Sequence, residues 1–164
     1  MLIKDASIKD LGIIHDLAHK IWPTAYGTIL SPEQLQYMLE KIYAVPALQN
    51  QISQLGHHFI ILLEANIAIG FASFSPREEG SKIFKLHKIY VLTKKQGSGR
   101  GKFLLDYVIN IITQAGATSL ELNVNRHNSA KSFYERQGFS IKAEVDIPIG
   151  GGFFMNDYIM ERIF

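Results

Sequence analysis

Between His58 and Leu92 three strand-like segments follow one another with no helix between them, and this run constrains the fold more than any other part of the chain. His58–Glu64 is a continuous, largely apolar run. Ala65-Asn66 offers a turn, and Ile67–Ser75 follows as its hairpin partner. Lys82–Leu92 is the third strand. Lys85 and His87 share one of its faces with Ile83, Ile89 and Val91, a pattern that fits a strand covered on both faces and carrying an isolated polar position. Consecutive strands favour hairpins, so the sheet is expected to be mixed.

Helices surround this run. Leu2–Asp5 reads as a first strand. From about Ser7 to Trp22 the residues Ile8, Leu11, Ile14, Leu17, Ala18 and Ile21 recur at spacings of three and four, an apolar stripe closed by Pro23. Ser31 caps the next helix, with Pro32 in its first turn and Gln34 completing a capping box. A short helix spans Pro46–Leu55 and stops at Gly56. After the strands come a helix from about Gly99 to Ala115 ended by Gly116, a strand Ser119–Val124, a helix Asn128–Gln137, and two strands, Phe139–Ile147 and Phe153–Ile163.

With 164 residues and neither repeat nor linker, residues 1–164 read as one α/β domain. The net charge of +2 gives no push toward nucleic acid or an anionic membrane surface. There is no cysteine, which excludes a disulfide framework, a thiolate zinc site, an iron–sulfur cluster and a cysteine nucleophile, and no metal is expected. No apolar stretch approaches the ~20 residues of a spanning helix. Met1-Leu2-Ile3-Lys4-Asp5 does not open a signal peptide, so a cytoplasmic location is the expectation.

The chemistry concentrates where the third strand ends. From Ile89, Tyr90 and Val91 the chain runs through Gln96-Gly97-Ser98-Gly99-Arg100-Gly101-Lys102 into a helix. Glycines let backbone N–H groups approach a ligand, and a helix start presents free N–H groups and a positive dipole end to phosphate. Lys94, Lys95, Arg100 and Lys102 add charge. Neither common phosphate loop fits. The glycine spacing departs from G-x-G-x-x-G, and Gly101-Lys102 is followed by Phe103 rather than Ser or Thr.

The spacing of Gln96, Gly99 and Gly101 instead resembles the Gln-x-x-Gly-x-Gly acyl-CoA loop of the GNAT superfamily of N-acetyltransferases. Leu122–Phe139, with its asparagines, Ala130, Phe133-Tyr134 and Gly138-Phe139, is similar to a second segment of that superfamily, and Gly152–Glu161 to its closing strand. The resemblance covers nearly the whole chain. It implies a central mixed, mostly antiparallel sheet flanked by helices on both faces. One departure is local: the family asparagine usually stands seven residues before the tyrosine, where this chain has His127, so Asn125 or Asn128 is expected to face the cofactor.

The resemblance further implies acetyl transfer from acetyl-CoA to an amine by direct attack within a ternary complex. An alkyl ammonium of pKa ~10.4 must lose a proton first, and a thiolate leaving group of pKa ~8.5 suits protonation by a phenol of pKa ~10. Tyr134 holds the family's position for that phenol. His87, with Glu121 as the second candidate, is expected to supply the base. The backbone of Ile89, Tyr90 and Val91 would pair with the pantetheine arm, and Gly97 to Lys102 would hold the pyrophosphate, with Lys131 nearby. Trp22, Tyr26, Phe154 and Asp157 are candidates for the acceptor side, since aromatic faces and a carboxylate suit a cation. Bacterial members resembling this chain include polyamine acetyltransferases. The competing readings are a peptide or protein amine as acceptor, and a non-catalytic acyl-CoA sensor that keeps the loop. A homodimer is compatible with the sequence.

Overall fold

The computed structural model describes all residues from Met1 to Phe164. Seven strands form one sheet in the order β1-β2-β3-β4-β5-β7-β6: β1 Leu2–Asp5, β2 His58–Glu64, β3 Ile67–Pro76, β4 Ile83–Val91, β5 Ser119–Asn125, β6 Ser140–Gly150 and β7 Phe153–Ile163. The β1–β2, β2–β3, β5–β7 and β6–β7 pairs are antiparallel, and β4–β5 is parallel. The helices are α1 Leu11–Tyr26, α2 Pro32–Tyr43, α3 Val45–Ser53, α4 Arg100–Gln114 and α5 Ala130–Arg136. This is the mixed, mostly antiparallel α/β architecture that the sequence implies. The chain gathers into two compact units, one of residues 1–75 and 88–108, the other of 76–87 and 109–164.

In the first unit the apolar stripe of α1 supplies Leu11, Ile14, Leu17, Ala18 and Ile21 to the core, beside Leu39 and Tyr43 of α2 and Leu48 of α3. Phe59 to Leu62 are all buried, as a strand covered on both faces requires. Ala65 and Asn66 both take positive φ, 49° and 63°, which makes the β2–β3 connection a two-residue turn that matches strand twist. The second unit builds its core from Leu120, Leu122 and Val124 of β5, Ile112 of α4, Met160 of β7, Tyr134 and Phe139.

Several boundaries differ from the sequence expectation. Ser7 caps a single 3-10 turn, Ile8–Asp10, whose Asp10 carboxylate accepts the Ser7 N–H at 2.9 Å, and α1 begins only at Leu11. Pro23 does not close α1, which continues one turn to Tyr26. A proline inside a helix costs roughly 3 kcal/mol. Burial of Trp22 just before it and the Tyr26–Tyr90 hydroxyl bond (2.9 Å) just after it offset that cost. Ser31 does accept the Gln34 N–H at 3.1 Å, as its capping role requires.

The sequence pattern hides one buried charge. Lys88 of β4 is 7% exposed, donates to Gln51 Oε1 at 2.6 Å, and lies 5.3 Å and 5.8 Å from the ring centres of Phe59 and Tyr43. Burial lowers its pKa from 10.5 to about 8, and the same charge joins burial in lowering neighbouring His57 to about 4. The unfolded chain therefore binds more protons than the folded one between about pH 8 and 10.5, so stability contributed by this site rises with pH across that window. Lys88→Met removes the titration. Relative to the variant, the wild type is expected to gain about 3 kcal/mol between the two ends of the window, read from denaturant midpoints.

Candidate active site

The strand-to-helix junction belongs wholly to the first unit. Gln96 folds back to donate from its side chain to the Val91 carbonyl at 3.1 Å, and the Leu92 N–H reaches Ile69 O on β3 at 2.8 Å, so the end of β4 is fixed at both sides. Gly97 and Gly99 then take φ of +76° and +79°, which L side chains rarely adopt. A β-carbon at either position would meet open space. The first backbone bond of α4 runs from Phe103 N–H to Gly99 O at 2.9 Å, and the N–H groups of Gly97, Ser98, Gly99, Arg100, Gly101 and Lys102 precede it without a backbone acceptor. Such a run, ending on a helix dipole, is a site for a phosphate group. The residues present therefore fit the pyrophosphate of an acyl-CoA.

The cations around this loop are less free than their spacing suggests. Lys95 and Arg100 both bind Glu64 at the end of β2, and Lys102 pairs with Asp106 one turn along α4. Ser98 accepts from Arg100 and donates to Lys95 O at 2.9 Å, closing the loop on itself. Glu64 lies outside every motif. The available signal was a single carboxylate ending an apolar strand.

The same unit holds Trp22 and Tyr26. Trp22 is 3% exposed and packs with ring centres 4.4 Å from Tyr26, 5.4 Å from Tyr43 and 6.0 Å from Tyr90. It stands in the core behind Tyr26, whose hydroxyl meets that of Tyr90. In β4 Ile89 is half-buried and Val91 is buried.

In the second unit Tyr134 projects from α5, 9% exposed, edge-on to Phe133 at 5.3 Å and Phe139 at 5.8 Å. Asn128 Oδ1 accepts the Ala130 N–H at 2.9 Å and Asn125 Oδ1 accepts the His127 N–H at 2.9 Å. Both side chains thus fix the turn that carries β5 into α5. Lys131 pairs with Glu135 at 2.7 Å and lies 5.9 Å from the Tyr158 ring centre. His87 is half-buried in β4, and Phe154 is 49% exposed at the start of β7.

Two buried carboxylates define the polar face of this unit. Glu121 Oε1 takes Lys142 Nζ at 2.5 Å and Arg77 Nη1 at 3.4 Å, so its charge is already matched by two cations. Asp157 is 3% exposed and accepts from Asn123 Nδ2 at 3.2 Å, while Lys85 donates to Oδ1 of the same asparagine. Burial raises the Asp157 pKa, against the lowering effects of Asn123, Lys85 and Arg126. Lys85 and Asn123 are the other residues that motif reading missed. They alternate with apolar neighbours in two different strands, and only the parallel β4–β5 register, Lys85 beside Glu121, brings them together.

A strand-loop-helix junction whose N–H groups fit a phosphate, set on a mixed sheet, is consistent with an acyl-CoA-dependent transferase, and similarity to known proteins gives that class. Residues 28–146 match the family described as "Acetyltransferase (GNAT) domain", and the chain belongs to that family. It is 28% identical to the spermidine N(1)-acetyltransferase of Thermoplasma acidophilum over 98% of this chain and 95% of that one. It is 38% identical to the [ribosomal protein bS18]-alanine N-acetyltransferase of Haemophilus influenzae, over 52% of this chain and 55% of that one. The crystal structure of the Thermoplasma acidophilum PaiA N-acetyltransferase in complex with coenzyme A superposes with a TM-score of 0.81 at 26% identity, covering 100% of both chains.

Proposed function

We propose that this protein transfers the acetyl group of acetyl-CoA to a primary amine of a small polyamine-like molecule, by direct attack in a ternary complex. The observation that carries the proposal is the run of N–H groups without backbone acceptors from Gly97 to Lys102, opened by two left-handed glycines. Acetyl-CoA, when bound, supplies the activated acyl thioester. Gly97 to Lys102 hold its pyrophosphate, and the backbone of Ile89, Tyr90 and Val91 accompanies the pantetheine arm. Asn125, Asn128 and Lys131 border the same cosubstrate from the turn and first helical turn that follow β5.

His87 takes the proton of the acceptor ammonium. Glu121 is the weaker candidate for that role, because its oxygen already receives both Lys142 and Arg77. Tyr134 donates its phenolic proton to the departing thiolate. Asp157 attracts the cationic acceptor, with the exposed Phe154 ring of the same unit as the candidate for its alkyl part. A polyamine is favoured by the buried Asp157 carboxylate and by the name of the full-length relative.

The test is thermal unfolding with acetyl-CoA, CoA and ATP, followed by thiol release with amine acceptors. Specific binding to the folded chain raises the midpoint. A rise of several degrees with both CoA species and none with ATP is expected, then turnover with spermidine-type amines. No shift at millimolar acetyl-CoA overturns the reading. A shift without turnover on any amine identifies a sensor, and turnover on a peptide amine alone replaces the acceptor class.

A further inference from the structure

The loop proposed to hold the pyrophosphate carries its own counter-anion. Glu64 ends β2, just before the Ala65-Asn66 turn, and reaches two residues of the loop that lie 31 and 36 positions along the chain. Oε2 accepts from Lys95 Nζ at 2.5 Å, and Oε1 accepts from Arg100 Nε at 3.0 Å and from Nη2 of the same guanidinium. These two cations hold the Glu64 carboxyl below its ordinary pKa, so it stays charged at neutral pH. With Lys102 on Asp106, three of the loop's four cations have a carboxylate partner, leaving Lys94 as the fourth.

As a source of folding stability such a partly exposed arrangement is worth little, since ion pairs open to solvent contribute roughly 0–1 kcal/mol. Its influence on an arriving anion is different in kind. A fixed negative charge beside the loop repels each charge of the ligand, so the penalty grows with ligand charge. Directed N–H donors instead reward a phosphate group only when it sits in their geometry.

We infer that Glu64 is a specificity residue: its single charge offsets one of the two charges of Lys95 and Arg100 and so weakens their undirected attraction, shifting anion recognition toward the N–H groups of Gly97 to Lys102. The ligand class it discriminates against is compact, highly charged anions, with inorganic pyrophosphate as the simplest representative. The ligand it admits is a pyrophosphate diester anchored elsewhere by an acyl arm. The inference rests on the acetyl-CoA reading of the loop.

The experiment is calorimetric titration of wild type, Glu64→Gln and Glu64→Asp with acetyl-CoA and with inorganic pyrophosphate, at low and high salt. Glu64→Gln is expected to bind pyrophosphate about five- to tenfold tighter at low ionic strength, with a smaller gain for acetyl-CoA. The gain should largely disappear near 1 M salt, where screening reaches ~3 Å. Glu64→Asp keeps the charge and should retain the wild-type preference. Pyrophosphate affinity that is unchanged or weaker in a folded Glu64→Gln overturns the inference, as does a gain that survives high salt. Failure of the wild type to bind acetyl-CoA has a separate signature, because it overturns the cosubstrate reading together with this one.

Discussion

Tyr134→Phe is expected to lower kcat by about 10²–10⁴ while leaving the affinity for acetyl-CoA nearly unchanged. The substitution removes one oxygen from a ring held by Phe133 at 5.3 Å and Phe139 at 5.8 Å, and both ring contacts survive in phenylalanine. A hydroxyl's net contribution to folding is only about 1 kcal/mol, so the midpoint of unfolding should move little. The catalytic cost arises elsewhere. On the proposed mechanism the sulfur of the variant would have to leave as a bare thiolate, whereas in the wild type the phenol would deliver a proton as the bond to carbon breaks. An interaction made only as the reaction proceeds shows itself in kcat with little effect on binding. Thiol release gives the rate, and titration of acetyl-CoA into the variant gives the affinity. Wild-type turnover in the variant removes Tyr134 from the acid role, whereas a parallel loss of affinity would make it a positioning residue.

The parts of the fold that local chemistry controls were legible in the sequence. Ala65-Asn66 makes a two-residue turn because the flanking apolar runs and turn residues adjoin, and both residues adopt the positive φ the turn needs. The strand-loop-helix junction was legible for the same reason, since Gln96, Gly97 and Gly99 act within a few residues of one another. Pro23 misled because its local preference to end a helix is outweighed by burial of Trp22 and by the Tyr26–Tyr90 bond, a partner 64 positions away. The loop's charge misled similarly. Lys95 and Arg100 read as charge added to the loop, yet the carboxylate that they share comes from β2, and strand placement is a property of the whole sheet. Asn128 is a milder case: its side chain caps the turn into α5 as a plain helix start requires, so the local role is filled whatever it contributes to the cosubstrate.

Gly99→Val should abolish the acetyl-CoA-dependent rise in melting temperature while the chain still folds. At φ +79° a β-branched residue is strained by about 1–3 kcal/mol, and a backbone that relaxes to relieve it re-aims the neighbouring N–H groups. The new side chain also projects from a β-carbon that has no protein atom within 4 Å, so nothing in the fold holds it away from an arriving ligand. Losing two charge-assisted hydrogen bonds at roughly 1.5–3 kcal/mol each weakens binding by about a hundredfold or more. Gly80→Val separates strain from binding. Gly80 has φ +75° and equally open surroundings, but it lies in the β3–β4 connection, so valine there imposes the same backbone strain outside the loop. The two variants should lose similar stability without ligand, and acetyl-CoA should restore a melting shift to Gly80→Val only. If Gly99→Val shows the full wild-type shift, the N–H groups from Gly97 to Lys102 are not the pyrophosphate site.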